Sequence, residues 1–267
     1  MASRRAIVTG CSTGIGRATA LELTSRGYEV VATARRLATI EDLKVAQTLE
    51  LDVDSDESVA AARRKVGIVD VLVNNAGFGV EGSVEEVPLA DVRRMFETNF
   101  FGAARMIQAF VPAMREQGAG SVVNVTSVAG IAAGPLGGYY SASKFALEAL
   151  SEALHLEVGH FGVDVLVIEP GGIETSFGAN VVDHRGGPSA YAELAVLWES
   201  AAGTLTGGQP APGPELVALA ICDALDAKSH PLRVPVGTDA ELVAATRHSV
   251  SYESFEAAMR QALQLDW

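Results

Sequence analysis

Short continuous apolar runs alternate along this chain with longer stretches in which apolar positions recur at helical spacing. The short runs are Ala6-Ile-Val-Thr9, Glu29-Val-Val-Ala-Thr33, Thr48-Leu-Glu-Leu-Asp52, Val69-Asp-Val-Leu-Val73, Ser121-Val-Val-Asn-Val125, Val163-Asp-Val-Leu-Val-Ile168 and the weaker Leu232-Arg-Val-Pro-Val236. Pro235 in the last run lacks a ladder donor, which predicts an edge strand. Between the runs, Ala103, Met106, Ile107, Phe110, Val111 and Met114 form one apolar stripe, and Val217, Ala220, Ile221, Ala224 and Leu225 another, with Pro214 suited to a first helical turn. A helix is also predicted from Ile15 to Arg26. Ala142, Ala146, Ala149, Leu150, Ala153 and Leu154 make a stripe of mostly small residues, which permits close helix approach. Strands apolar throughout, alternating with helices, predict a doubly wound α/β sandwich of three layers around a mainly parallel seven-stranded sheet. Such sheets bind ligands at the carboxyl ends of their strands.

At 267 residues and 48% hydrophobic content, the chain is read as one domain, 1–267, with a less regular segment at 176–213. The net charge of −13 argues against a nucleic-acid partner, which would need a basic face. Cys11 and Cys222 read as two free thiols in a reducing compartment. No apolar run reaches membrane length and none near the start suits a signal peptide, so a soluble, cytoplasmic protein is expected. Asn124-Val-Thr126 matches a glycosylation acceptor in form but falls in a strand expected to be buried.

The turn after the first strand, Thr9-Gly10-Cys11-Ser12-Thr13-Gly14-Ile15-Gly16, combines glycines with a helix start. Its glycines allow a tight turn and close approach to a pyrophosphate, whose charge the helix N-terminus meets. The same residues fit the G-x-S-x-G nucleophile elbow of hydrolases. That chemistry needs an oxyanion-hole loop from an earlier strand, and only nine residues precede Gly10. It also needs a histidine, and none of His155, His160, His184, His230 and His248 has a recognisable setting. Cys11 reads as a small buried turn residue rather than a nucleophile.

The second strand ends in Thr33-Ala34-Arg35-Arg36, where an NAD site would place a carboxylate for the ribose 2′-hydroxyl. Arginines there suit a 2′-phosphate instead, through bidentate, charge-assisted hydrogen bonds and stacking on adenine. NADP(H) is therefore expected over NAD.

Tyr140-Ser-Ala-Ser-Lys144 puts a phenol and an ammonium on one helix face, while Tyr139 points about 100° away. A nearby ammonium, joined by the positive nicotinamide of an oxidised cofactor, favours the phenolate and is expected to lower the phenol from its usual value of about 10. Tyr140 would then give a proton to a carbonyl oxygen or take one from an alcohol. Ser127, at the carboxyl end of the fifth strand, is placed to hold that oxygen. Asn99 interrupts an apolar helical stretch, either as a buried backbone cap or as part of a water relay to Lys144. Asn74-Asn75-Ala76-Gly77 closes the fourth strand on the adenosine side.

Taken in order, Thr9-Gly10-x-x-x-Gly14-Ile15-Gly16, Asp52-Val53, Asn74-Asn75-Ala76-Gly77, Asn99, Ser127, Tyr140-x-x-x-Lys144 and Pro170-Gly171-x-Ile173-x-Thr175 resemble the short-chain dehydrogenase/reductase family along nearly the whole chain. The resemblance implies a Rossmann-type fold and a tetrad of Asn99, Ser127, Tyr140 and Lys144, with Tyr140 as acid/base. It implies cofactor contacts from the first-turn glycines, from Asp52, Val53, Asn75, Ala76 and Gly77 around adenosine, and from Pro170, Gly171, Ile173 and Thr175 around the carboxamide. Thr9-Gly-Cys-Ser, Ala32-Thr-x-Arg35 and Ser143-Lys-Phe-Ala-Leu-Glu148 look most like the branch of estradiol-type hydroxysteroid and retinol dehydrogenases. In that branch Ser12 and Arg35 would serve the 2′-phosphate, with Arg36 beside them. The family usually associates through its fourth and fifth helices, which implies a homodimer or homotetramer. The stretch between the second and third strands is shorter than the family pattern.

The segment 176–213 shows no clear family match. It contains a predicted helix from Tyr191 to Ala201 and reads as a substrate lid. Phe177, Tyr191, Leu194, Leu197 and Trp198 either make an apolar pocket for a bulky hydrophobic substrate or cover the core, the expected partner being a hydrophobic carbonyl or alcohol. Ser251 to Trp267 reads as an amphipathic helix. Two rival functions remain: a non-catalytic dinucleotide sensor, which would be expected to have lost part of the tetrad, and the serine hydrolase.

Overall fold

The computed structural model describes residues 3–186, 188–205, 210–229 and 231–265. From the N-terminus run β1 (Arg5–Val8), α1 (Gly14–Ser25), β2 (Glu29–Ala34), β3 (Gln47–Glu50), α2 (Asp56–Val66), β4 (Val71–Asn74), β5 (Val80–Glu81) and α3 (Leu89–Phe96). There follow α4 (Ala103–Gln117), β6 (Gly120–Val125), α5 (Gly138–Val158), β7 (Val163–Pro170), β8 (Val182–Asp183) and α6 (Ala192–Leu205). The chain continues through α7 (Glu215–Asp226), β9 (Arg233–Val236), α8 (Thr238–Ser249) and α9 (Tyr252–Ala262).

Seven strands form one parallel sheet in the order β3-β2-β1-β4-β6-β7-β9. The strands are apolar throughout because both sheet faces are covered. Ala6, Val8, Val30 and Ala32 pack with Val217, Ile221 and Leu225 of α7 on one side. Ile7, Val31, Leu72 and Val122 pack with Met106, Phe110 and Met114 of α4 on the other. Pro235 lies on β9, an edge strand paired only with β7, where its missing N–H costs the ladder little.

Local signals account for the helix ends. Ser55 accepts a hydrogen bond from the Ser58 N–H at the start of α2, Asp56 and Glu57 occupy its first turn, and Arg63, Arg64 and Lys65 its last. Residues 35–46, the short connection noted in the sequence, carry a single 3₁₀ turn at Leu37–Thr39 in place of an α-helix.

Three features depart from the sequence reading. A second, two-stranded parallel sheet joins β5 to β8, tying the start of the 176–213 segment to residues after β4. Glu97–Gly102 forms a π-helical turn between α3 and α4, and Asn99 lies within it. On α5 the buried face is Ser141, Ser143, Lys144, Leu147, Glu148, Ser151, Leu154 and Val158, while Ala142, Ala149 and Ala153 are exposed. Of the last predicted helix, α9 covers Tyr252–Ala262, and Asp266 and Trp267 lie outside the described residues. So do Gly187 and residues 206–209 of the 176–213 segment.

Candidate active site

The chain reverses its direction of strand addition between β1 and β4, and a crevice opens there at the carboxyl edge of the sheet. The cleft holds about 690 Å³ and runs from Arg35 and Arg36 after β2 to Tyr140 and Phe177. The turn after β1 supplies its floor. Gly10 and Gly14 have φ of +72° and +57°, which side chains with a Cβ adopt only under strain. A Cβ at Gly10 would also lie 2.9 Å from the Ala76 Cα. Ser12, Thr13 and Ile15 line the cleft with them. Gly16, in the first turn of α1, is buried, and a Cβ there would overlap the Asn75 side chain and the Gly10 carbonyl, so its glycine serves the packing of α1.

Strand ends are locked beneath this floor by side-chain amides. Asn75 Nδ2 donates to the Thr9 carbonyl at 2.9 Å, and the Thr9 hydroxyl accepts from the N–H groups of Asn75 and Ala76. Asn74 faces inward and donates to Asn124 at 2.9 Å, while Asn75, Ala76 and Gly77 face the cleft. Cys11 is buried, its thiol pushed up to about 12 by desolvation and directed at the Val8 carbonyl. That is the inert turn residue expected, since the thiolate carries cysteine nucleophilicity. Among the described residues no histidine lines the cleft beside the turn, where an elbow serine would need its base.

Arg35 and Arg36 are exposed at the cleft's far end, and neither makes an ion pair among the described residues. Arg17, by contrast, is paired with Asp42, and Arg26 with Glu22, Asp223 and Asp226. Asp52, Val53 and Asp54 border the same end. Asp54 was not singled out by the sequence. Its carboxyl accepts from the Thr98 hydroxyl at 2.9 Å and is pushed up by burial.

At the other end, Ser127 follows β6 directly and Tyr140 and Lys144 lie in the first turns of α5. The Ser127 hydroxyl accepts from the Ala129 N–H at 3.1 Å and lies near enough to the Tyr140 phenol to pull its proton affinity down. The Lys144 ammonium donates to the Val125 carbonyl at 3.0 Å and stands 5.8 Å from the Tyr140 ring centre. Desolvation brings Lys144 down to about 8, and the Glu148 carboxylate opposes that fall. Burial pushes the Tyr140 phenol up to about 12, with Ser127 pulling it down and Glu81 adding to the rise. Tyr139 turns away and donates to the Val84 carbonyl at 3.0 Å.

Asn99 is buried and its amide is fully used. It donates to the Phe78 carbonyl and the Ser143 hydroxyl, and accepts from the Phe78 N–H at 3.0 Å. The backbone-cap reading of Asn99 is therefore the one its side-chain bonds support. A Cβ at Gly77 would meet Asn99 Oδ1 at 3.0 Å, so glycine there admits the amide beside Lys144.

Pro170, Gly171, Ile173 and Thr175 line the cleft beyond β7. Asp239 of α8, unrecognised in the sequence, accepts from the Gly172 N–H at 2.6 Å and fills the space a Gly171 side chain would need. Phe177 stacks obliquely on Tyr140, ring centres 5.7 Å apart, and lines the cleft. Tyr191, Leu194, Leu197 and Trp198 do not line it; Trp198 packs instead against Gly134.

An open parallel sheet with a glycine cradle at its switch point and a paired phenol and ammonium nearby is the architecture of nicotinamide-dependent oxidoreductases. Residues 4–186 match the family model described as short chain dehydrogenase, and the chain belongs to that family. Human retinol dehydrogenase 8 is 42% identical over 189 residues, 66% of this chain and 61% of that protein, so the chain spans about three fifths of that relative's length. A 3-ketodihydrosphingosine reductase of Bacteroides thetaiotaomicron is 34% identical over 86% of this chain and 87% of its own. Among solved structures, a short-chain dehydrogenase from Streptomyces avermitilis superposes with a TM-score of 0.85 at 36% identity, covering 97% of this chain and 96% of its own. A short chain dehydrogenase from Burkholderia cenocepacia in complex with NADP gives a TM-score of 0.79 at 25% identity, covering 96% of this chain and 97% of its own. One from Burkholderia phymatum in complex with NAD gives 0.77 at 26%, covering 96% and 95%. The structural neighbours thus bind one or the other nicotinamide dinucleotide. No helix among the described residues is long and apolar enough to cross a membrane.

Proposed function

We propose that the protein reduces a ketone or aldehyde to an alcohol, reversibly, with NADP(H) as cofactor and Tyr140 as proton donor. The observation that carries the reading is the placement of Ser127, Tyr140 and Lys144 at one end of a cleft whose other end holds Arg35 and Arg36. The dinucleotide, when bound, supplies or accepts the hydride. Its diphosphate suits the cradle of Gly10, Ser12, Thr13, Gly14 and Ile15, which no side chain occupies. Arg35 and Arg36, without carboxylate partners, suit a 2′-phosphate, with Ser12 as a further donor.

Ser127 holds the carbonyl oxygen next to the phenol, and Tyr140 gives it a proton. A phenol raised by burial holds its proton, ready to give it to the carbonyl oxygen in reduction, and the same group takes it back in oxidation. Lys144 places a positive charge beside the developing tyrosinate. Asn99 holds residues 77–78 in position next to Lys144 and supports the pair from below. Asp52, Val53, Asn75, Ala76 and Gly77 border adenosine, and Pro170, Gly171, Ile173 and Thr175 the carboxamide. The chain is read as one domain over 1–267, with 176–213 as a substrate lid whose Phe177 lies against Tyr140.

The substrate is read as a small hydrophobic carbonyl or alcohol, in keeping with the retinoid, steroid and sphingoid names of the relatives. The exposed face of α5, with Ala142, Ala149 and Ala153, suits contact with a second copy in a homodimer or homotetramer. Cytoplasmic residence fits two buried free thiols. The test is a panel of ketones, steroids and retinoids followed by NADPH absorbance and repeated with NADH. NADPH consumption with a hydrophobic ketone supports the proposal. Consumption only of NADH would overturn its cofactor, and no consumption of either across the panel its chemistry.

A further inference from the structure

Behind Lys144, on the side away from the cleft, lies a group of charges that the proposed chemistry does not use. Glu148 follows Lys144 by one turn on α5 and is 5% exposed, and Glu169 on β7 is 1% exposed. Buried carboxylates are costly unless paired, so two of them side by side require a reason. Only one cation spans them. Arg233 on the edge strand β9 places its Nε 3.0 Å from Glu148 and 3.2 Å from Glu169, and reaches Glu152 at 2.5 Å with its other arm. Glu148 Oε1 is buried with no hydrogen-bond partner among the described residues, and Glu169 Oε1 has only its 3.2 Å ion pair to Arg233. One guanidinium thus serves Glu148, Glu152 and Glu169. Lys144, one turn before Glu148 on α5 and buried like it, is a further cation that feels the Glu148 charge.

We infer that Glu148 is a positioning residue for the proposed proton-transfer pair: clamped by Arg233, its carboxylate keeps the buried Lys144 ammonium charged beside Tyr140. The inference rests on the proposed function in one respect, that Lys144 takes part in the chemistry. The charged and polar groups around Glu148 are Lys144 and Glu152 on its own helix, Thr126 after β6, Glu169 on β7 and Arg233 on β9. Burial pushes the Glu148 carboxyl up, while neighbouring Thr126, whose hydroxyl donates to the Ile168 carbonyl at 2.9 Å, and Arg233 favour its ionised form. Packing fixes the distance. A Cβ at Gly130 would meet Glu148 Cγ at 3.1 Å and Lys144 Cβ at 3.3 Å, so the short turn 128–130 closes on both side chains and admits nothing larger than glycine.

Without Glu148's charge, desolvation of Lys144 goes unopposed and the ammonium loses its proton at lower pH. The experiment reads that directly. The lysines of the chain are Lys44, Lys65, Lys144 and Lys228, so protein labelled with ¹³C-lysine gives few Cε signals, and Lys144→Arg assigns the one of interest. In the unaltered protein its midpoint is expected near 8. In Glu148→Gln it is expected to fall by about one pH unit or more, and in Glu148→Asp, which retains the charge, by less than half of that. The alkaline limb of kcat/KM should move with the NMR midpoint. A Glu148→Gln protein that folds, by circular dichroism, with the Lys144 midpoint unchanged overturns the inference. If Glu148→Gln does not fold, the Glu148→Asp midpoint compared at low and high salt decides: a buried pair resists screening, and a midpoint governed by salt would overturn it. A shifted midpoint with an unmoved activity limb would instead count against a catalytic part for Lys144, leaving the electrostatic link standing.

Discussion

The Lys144 ammonium stands 5.8 Å from the centre of the Tyr140 ring and gives its hydrogen bond to the Val125 carbonyl, not to the phenol. A separation of four residues on a helix brings the two side chains together, but it does not make them partners. Burial raises the phenol's proton affinity, and the nearby Ser127 hydroxyl opposes that rise.

Replacing Tyr140 by Phe removes that acid and little volume. Turnover should fall by roughly 10²- to 10⁴-fold, the usual contribution of a positioned proton donor. Dinucleotide affinity, read by quenching of Trp fluorescence or by calorimetry, should stay within about twofold. Retained turnover would show that the proton comes from elsewhere.

Arg35 and Arg36 form the part of the cleft that distinguishes the two dinucleotides. Arg35→Ala should lower the NADPH-to-NADH ratio of kcat/KM by roughly 10- to 100-fold, the worth of one charge-assisted hydrogen bond of about 1.5–3 kcal/mol. Arg36→Ala should have the same sign with a smaller effect. Steady-state kinetics with both cofactors checks this, and a ratio unmoved in the double variant would assign selectivity to other residues.

Gly16 separates packing from binding. Its Cβ position overlaps Asn75 and the Gly10 carbonyl, both part of the lock between β1 and β4. Gly16→Ala should therefore cost about 1–3 kcal/mol of stability, seen as a melting temperature lower by roughly 2–10 °C. Scanning calorimetry tests it. An unchanged melting temperature would mean that the turn relaxes freely.

The strands of the main sheet and the outer helices were legible because their apolar patterns are strong. The catalytic face of α5 was not. Its buried side is built from Ser143, Lys144, Glu148 and Ser151, so a search for apolar periodicity selects the alanines, three of which face outward. The π-helical turn at Asn99 has the same composition as an α-helix, because a shift from i+4 to i+5 pairing leaves no mark on residue spacing. β5 and β8 pair over two residues each, too few to show alternation. Ser143, Phe177 and Asp239 reach the site only through tertiary placement: Ser143 accepts from Asn99, Phe177 lies on Tyr140 and Asp239 holds Gly172. The first-turn glycines and Ser127 were readable because each follows a strand end, where the fold directs residues to the cleft, and Tyr140 and Lys144 because their spacing puts them on one helix face.

Glu169 makes a prediction about stability that is independent of turnover. Burial, and then the Glu148 charge beside it, raise its carboxyl from the ordinary value near 4.5 to about 7, against the pull of Arg233. A carboxyl raised in the folded state favours folding while it is protonated, and that contribution is lost as pH climbs from about 4.5 through 7. Because Glu148 and Glu169 share Arg233, the loss belongs to the pair and spreads over that window. Glu169→Gln keeps the shape and removes the titration. Relative to the unaltered protein, the variant should be of similar stability at pH 5 and about 1–3 kcal/mol more stable at pH 8. Urea denaturation at the two pH values, compared as the difference between proteins, cancels every other titrating group. A variant destabilised equally at both would mean that the ionised carboxylate is well satisfied by Arg233, and the shortage of positive charge around Glu148 would then have to be abandoned as well.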